Sequence, residues 1–195
     1  MRLLLASGNA HKLVELRAAL PSWELGLADA PLPPETGSTF RENARTKAQA
    51  GRAVTPPDAW AAGEDSGIEV AGLGDRPGIF SARYAGEDAT DEENVAKLLR
   101  ELAGVEGGGR GARYVCELVA IGPDGRELAV RGELEGAIAR EPRGAEGFGY
   151  DPVFVPEGES RTVAELGDEW KSGHSHRARA AKLLAGLLGE PEQAL

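Results

Sequence analysis

The chain has 195 residues, 32 of them acidic and 22 basic, for a formal charge of −10. That balance excludes a groove for duplex nucleic acid, which needs clustered Lys and Arg to displace phosphate counterions, and it excludes a polybasic membrane-surface protein. Apolar residues make up 41%, so the chain is globular, and at this length one domain over residues 1–195 is expected. Its apolar runs fall far short of the ~20 residues that span a bilayer, and no signal-peptide apolar segment is visible. The single cysteine, Cys116, cannot form an internal disulfide. These features point to a reducing, cytoplasmic setting.

Arg2 to Ser7 reads as a short buried strand, followed by Gly8 and a helical pattern of Leu13, Leu16, Ala19 and Leu20. Pro31, Pro33 and Pro34 mark a loop, and Thr39 followed by Glu42 predicts a capped helix to about Ala53. Ala59 to Glu64 and Ile68 to Leu73 read as two strands around a turn at Asp65-Ser66-Gly67, with Gly78 to Tyr84 a further extended segment. Thr90 with Glu93 opens another helix that fades near Gly104, and the glycines from Gly104 to Gly111 divide the chain without the length of a linker. Ala112 to Ile121 and Arg126 to Glu133 form a hairpin pattern around Gly122-Pro-Asp-Gly125. A last helix runs from about Ser175 through Leu188, stopped by Gly189 and Pro191. Strands alternating with helices give an α/β domain, and the hairpin makes its sheet mixed.

Several segments could carry chemistry. Ser7-Gly8-Asn9-Ala10-His11-Lys12 lies where a strand turns into a helix, so backbone N–H groups and the helix dipole face the turn. Two readings are open there: a phosphate rests on the turn beside Lys12, or Asn9 merely caps the helix. Glu64 and Asp65 are adjacent acids at a strand end, and Glu35 lies in the Pro-rich loop upstream. Such carboxylates suit a hard cation such as Mg²⁺ and can deprotonate water, but acids in an acidic protein are also commonly solvated. Asn43 and Lys47 are four apart and share a helix face, so Lys47 could join Lys12 on a polyphosphate or stay in solvent. Gly147-Phe148-Gly149-Tyr150-Asp151-Pro152 presents two aromatics and an acid on flexible backbone, either to stack and read a heterocyclic base or to plug the core. Lys171, His176 and Arg177 are donors around the start of the last helix.

Taken in order, Ser7 to Lys12, Thr39 to Ala44 with Lys47, Glu64 to Gly67, Pro77-Gly78 with Ser81 to Gly86, Gly147 to Pro152 and Ser175 to Arg177 resemble the motifs of the inosine triphosphate pyrophosphatase family. Bacterial members commonly carry two Asp before Ser-Gly, whereas Glu64 stands first here. The resemblance implies an elongated mixed sheet flanked by helices, two lobes with a central cleft, and usually a homodimer. It implies hydrolysis of deaminated purine nucleoside triphosphates to the monophosphate and pyrophosphate. Ser7 to Lys12 would hold the triphosphate, Glu35 and Asp65 would bind Mg²⁺, and Asp65 would accept the proton of the attacking water. Ser66 would touch the substrate, Lys47 would lie near the phosphates with Arg83 a further candidate, and Phe148, Gly149, Tyr150, Asp151, Lys171, His176 and Arg177 would receive the base. The alternative within this chemistry is a Maf-like nucleotide pyrophosphatase with another base preference.

Overall fold

The computed structural model describes residues 1–189. β1 (Arg2–Ala6) buries Leu3 and Leu5, and α1 (Ala10–Ala19) follows, with Asn9 capping it by accepting the His11 N–H. β2 (Glu24–Leu27) runs parallel to β1, and α2 (Phe40–Val54) leads into β3 (Trp60–Val70). Next come β4 (Arg76–Pro77), α3 (Asp91–Glu101), β5 (Gly111–Ile121) and β6 (Glu127–Ile138). The described chain ends with β7 (Phe154–Pro156), α4 (Val163–His174) and α5 (His176–Leu187). The sheet has seven strands in the order β2-β1-β3-β5-β6-β7, with β4 paired to β3. It is mixed as expected: β1 is parallel to β2 and β3, while β3 with β4 and β6 with β7 are antiparallel. No helix among the described residues is long and apolar enough to cross a membrane.

The chain divides into two compact units. Residues 1–65, 116–132 and 176–189 form the first, and residues 66–115 and 133–175 the second. Each has its own core. In the first unit, Leu13 and Leu16 of α1 and Ala180, Ala181 and Leu184 of α5 pack with Leu3, Leu5, Ala62, Cys116 and Leu118. Ala44 and Ala48 of α2 pack instead with Val119 and Ile121. Because successive strand residues face opposite ways, α1 and α5 lie on one face of the sheet here and α2 on the other. Gly63 makes the α2 contact: a Cβ there would stand 2.1 Å from the Ala44 carbonyl oxygen and 2.3 Å from the Ala48 nitrogen. In the second unit Ile68, Val70, Leu98, Leu134, Val153 and Phe154 belong to one core.

Several expectations need correction. Asp65-Ser66-Gly67 is not a turn between two strands but the middle of β3. Asp and Ser favour turns when their side chains bond their own backbone. The Asp65 carboxylate bonds Asn43 and Lys47 of α2 instead, which leaves the backbone to continue its ladder. Gly78 to Tyr84 is not extended: Gly78–Arg83 forms 3-10 turns, fixed by the Ser81 hydroxyl, which donates to the Gly78 carbonyl and accepts the Ile68 N–H. Thr39 caps α2, but Glu42 reaches one residue further back, to Ser38. β2, β7 and α4 were not anticipated, although Thr162 and Glu165 form a complete capping box at the start of α4. The last helix ends at Leu187, and Pro191 lies outside the described residues.

Candidate functional site

The buried stripe of α2 carries Phe40, Asn43, Ala44, Lys47, Ala48 and Gly51. Two polar residues in such a stripe call for buried partners, and Asp65 supplies them. Asn43 Nδ2 donates to Asp65 Oδ2 at 3.0 Å and Lys47 Nζ to Asp65 Oδ1 at 3.2 Å. Lys47 Nζ also donates to the Glu64 carbonyl oxygen at 3.2 Å and is ion-paired with Glu35 from the Pro-rich loop. Burial pushes the Asp65 carboxyl up, and the charge of Glu35 adds to this against the pull of Lys47. Burial alone would lower the Lys47 ammonium, but Asp65 and Glu35 outweigh it and hold its value up. One ammonium is shared by two carboxylates, which holds Lys47 up and leaves the burial of Asp65 only partly offset.

Glu64, the preceding residue of β3, points to the opposite face. Its side chain is 0% exposed; Oε2 pairs with Lys12 Nζ at 2.8 Å and Oε1 with Arg177 Nη2 at 3.1 Å. Cys116 Sγ donates to the same Oε1 at 3.4 Å, and burial followed by the Glu64 charge pushes the thiol up. Arg177, 1% exposed, also pairs with Glu15, one turn beyond Lys12 on α1. Lys12 and Lys47 therefore reach consecutive residues of one strand from opposite faces of the sheet.

The turn before α1 is built as the sequence suggests at its start. Ser7 Oγ accepts the Asn9 N–H at 3.1 Å, Asn9 caps α1, and Gly8, Ala10 and His11 are exposed. No acid sits in the first turn of α1, so its N-terminal dipole is uncompensated there and suits an anion. Ser66, half-buried, follows Asp65 directly.

In the second unit, Asp151 (4% exposed) gathers three donors: the Tyr114 hydroxyl at 3.1 Å, Lys171 Nζ at 2.8 Å and the Phe148 N–H at 3.0 Å. Lys171 Nζ stands 4.6 Å from the centre of the Phe148 ring. Gly147 has φ +81°, and a Cβ there would lie 2.2 Å from Asp151 Oδ2, so glycine is required by conformation and by space. Tyr150 is anchored through its hydroxyl to the Ser81 carbonyl oxygen at 2.8 Å, and Asp91 accepts the Gly149 N–H at 2.7 Å. The Phe148 to Asp151 loop is thus clamped at every residue.

In the first unit the structure gathers Glu35, Lys47 and Asp65 on one face of β3 and Lys12, Glu64 and Arg177 on the other, and in the second unit it gathers Phe148, Asp151 and Lys171. His176 is buried beside Arg177 at the start of α5. Glu15, Tyr114 and Asp91 were not singled out by the sequence. The three-residue spacing of Lys12 and Glu15 was a readable helical signal; nothing local marks Tyr114 as the partner of an acid 37 residues away.

Glu35 and Asp65 also fit a divalent cation. Two carboxylates converge where an ammonium now bridges them, and Mg²⁺ takes one or two protein carboxylates, completing its shell with water and phosphate. No group of three or more His, Cys, Asp or Glu capable of holding a metal occurs among the described residues.

A family model described as the Ham1 family matches residues 3–187. A dITP/XTP pyrophosphatase of Bdellovibrio bacteriovorus is 47% identical over 189 residues, covering 93% of this chain and 94% of that protein. One of Mycobacterium tuberculosis is 47% identical over 196 residues, covering 96% and 95%. Among solved structures, a HAM1 protein from Coxiella burnetii superimposes with a TM-score of 0.85 at 39% identity, covering 96% of this chain and 98% of that one. The Staphylococcus aureus Ham1 protein gives 0.83 at 38% identity with the same coverage.

Proposed function

The chain belongs to the Ham1 family, and from that premise we propose that it hydrolyses the deaminated purine nucleotides ITP, dITP and XTP to the monophosphate and pyrophosphate. The observation that carries the reading is the convergence of Lys12, Lys47 and Glu35 on the adjacent residues Glu64 and Asp65. Two cations for a polyphosphate and two oxygen donors for a metal are then held at consecutive residues of β3, Lys12 on one face and Lys47, Glu35 and Asp65 on the other.

Ser7 to Lys12 hold the triphosphate in this proposal, with Lys47 and Ser66 near the reacting phosphate. Glu35 and Asp65 hold Mg²⁺, which when bound lowers the pKa of a water and neutralises charge on phosphate oxygens. Asp65 takes the proton of the attacking water; the water oxygen bonds to the α-phosphorus, the bond to the bridging oxygen breaks, and pyrophosphate leaves with that electron pair. Asn43 fixes the plane of the Asp65 carboxylate, leaving its ionisable oxygens pointed consistently. Lys47 keeps its proton, because its carboxylate partners hold its value up, and so remains a fixed positive charge for the transition state.

Phe148, Gly149, Tyr150, Asp151, Lys171 and His176 are assigned to the base, while the Arg177 guanidinium is engaged by Glu15 and Glu64. A hypoxanthine or xanthine 6-oxygen satisfies buried donors that an adenine amino group would leave unpaired, a difference that can reach several orders of magnitude. A homodimer and a cytoplasmic setting belong to the same proposal. Incubation with Mg²⁺ and ITP, XTP, GTP or ATP, followed by separation of the products, tests it. Pyrophosphate from ITP and XTP well ahead of ATP is expected. Orthophosphate would overturn the reaction, and pyrophosphate release without a 6-keto preference would favour the Maf-like alternative.

A further inference from the structure

We propose that Glu64 is a positioning residue that sets where the Lys12 ammonium stands, an inference that rests on the reading of Lys12 as a triphosphate ligand. The side chain of Glu64 is fully buried and held from three elements: by Cys116 of β5, by Arg177 of α5 and by Lys12 of α1. Arg177 is itself fixed by Glu15 of α1, so Lys12, Glu64, Arg177 and Glu15 form a ring closed by one turn of helix. The ring contains two cations and two anions and adds no net charge to the core. Glu64 and Arg177 are each held on more than one side, and Lys12 stands half-buried in the first turn of α1.

Stability alone is a weak reason for such a ring. Buried ion pairs are commonly matched or bettered by apolar groups of the same volume, so the ring does more than hold the core together. What an apolar substitute could not do is hold the end of a long, flexible lysine in one place beside the phosphate turn. The alternation of β3 also separates Glu64 from metal binding: it faces α1 and α5, while Asp65 faces α2 and Glu35. The two adjacent acids thus have separate duties, Asp65 toward the reaction and Glu64 toward the lysine opposite.

The test is a double-mutant cycle on the full chain with Mg²⁺ and ITP, using Lys12→Met, Glu64→Gln and the two combined. Glu64→Gln should lower kcat about 10- to 100-fold, the scale of a small misplacement of a catalytic contact. KM should change less than kcat, because the variant also loses an anion that competes with phosphate for Lys12. In the Lys12→Met background the same change should cost almost nothing further. Glu64→Asp, which keeps the charge but is one methylene short of spanning Lys12 and Arg177, should fall between wild type and Glu64→Gln. Equal losses in both backgrounds would overturn the proposal. If Lys12→Met alone left kcat/KM unchanged, the reading of Lys12 itself would fall. Should Glu64→Gln fail to fold, the cycle run with Glu64→Asp decides the question in the same way.

Discussion

Asp65 and Asp151 look alike by burial and partner: they are 5% and 4% exposed, and each is ion-paired to a lysine. They differ in how the compensating charge is distributed. Lys47 divides its charge between Asp65 and Glu35, and burial together with Glu35 pushes the Asp65 carboxyl up. Asp151 instead collects an ammonium, a phenol hydroxyl and a backbone N–H. A carboxylate left short of positive charge is suited to accept a proton or a metal ion, while one supplied with three donors is suited to hold a loop. Burial and a lysine partner therefore do not by themselves tell a reactive acid from a structural one; sharing of the partner does.

The same substitution at both positions should break this likeness. Asp65→Asn should lower single-turnover hydrolysis of ITP by about 10²- to 10⁴-fold, the usual contribution of a positioned base. It should not destabilise the chain. Because the folded-state value of Asp65 is raised, the folded chain holds that proton more tightly than the unfolded chain. In metal-free buffer its stabilising effect is full below the ordinary carboxylate value of about 4 and is lost as pH rises through the raised value. Asp65→Asn removes that dependence, so melting against pH should show the variant at least as stable as wild type at pH 8; a clearly lower melting temperature would contradict the assignment. Asp151→Asn should do the reverse. It leaves Lys171 buried without its anion, which typically costs about 3–5 kcal/mol, or a fall in Tm of about 6–20 °C for a chain of this size. Its kinetic effect should appear as a higher KM for ITP with kcat largely kept, since the Phe148 ring and Lys171 lose their common anchor.

What the sequence made legible follows from the range of each signal. The turn before α1, the capped α2 and α3 and the β5 to β6 hairpin depend on neighbouring residues, and they were readable from local chemistry. The resemblance brings Lys47, Glu35 and Asp65 to one site but does not pair them, because helix spacing places Lys47 on a face without saying what faces it. The Asp-Ser-Gly string misled for the same reason: its turn tendency is local, whereas the α2 side chains that keep it in a strand come from 18 and 22 residues away. Glu64 was legible as an acid beside Asp65, but its duty depends on the alternation of β3, which a turn at Asp65 would have abolished. The resemblance makes Arg177 a donor to the base, and nothing in its neighbourhood announces Glu15 on a helix 162 residues earlier.

The smallest expected effect gives the sharpest view of Asp151. Tyr114 is buried with its ring centre 4.5 Å from that of Phe154, so Tyr114→Phe keeps the ring contact and removes only the hydroxyl that donates to Asp151. A hydrogen bond to a charged group is worth about 1.5–3 kcal/mol, and with Lys171 and the Phe148 N–H still in place the lower end applies, a fall in Tm of about 3–6 °C. If Asp151 is a clamp, this partial loosening should raise KM for ITP slightly, leave kcat unchanged and leave the pH dependence of metal-free stability intact, since that dependence belongs to Asp65. A fall in kcat comparable to that of Asp65→Asn would instead place Asp151 among the reacting groups, and the difference in charge sharing would no longer separate the two aspartates.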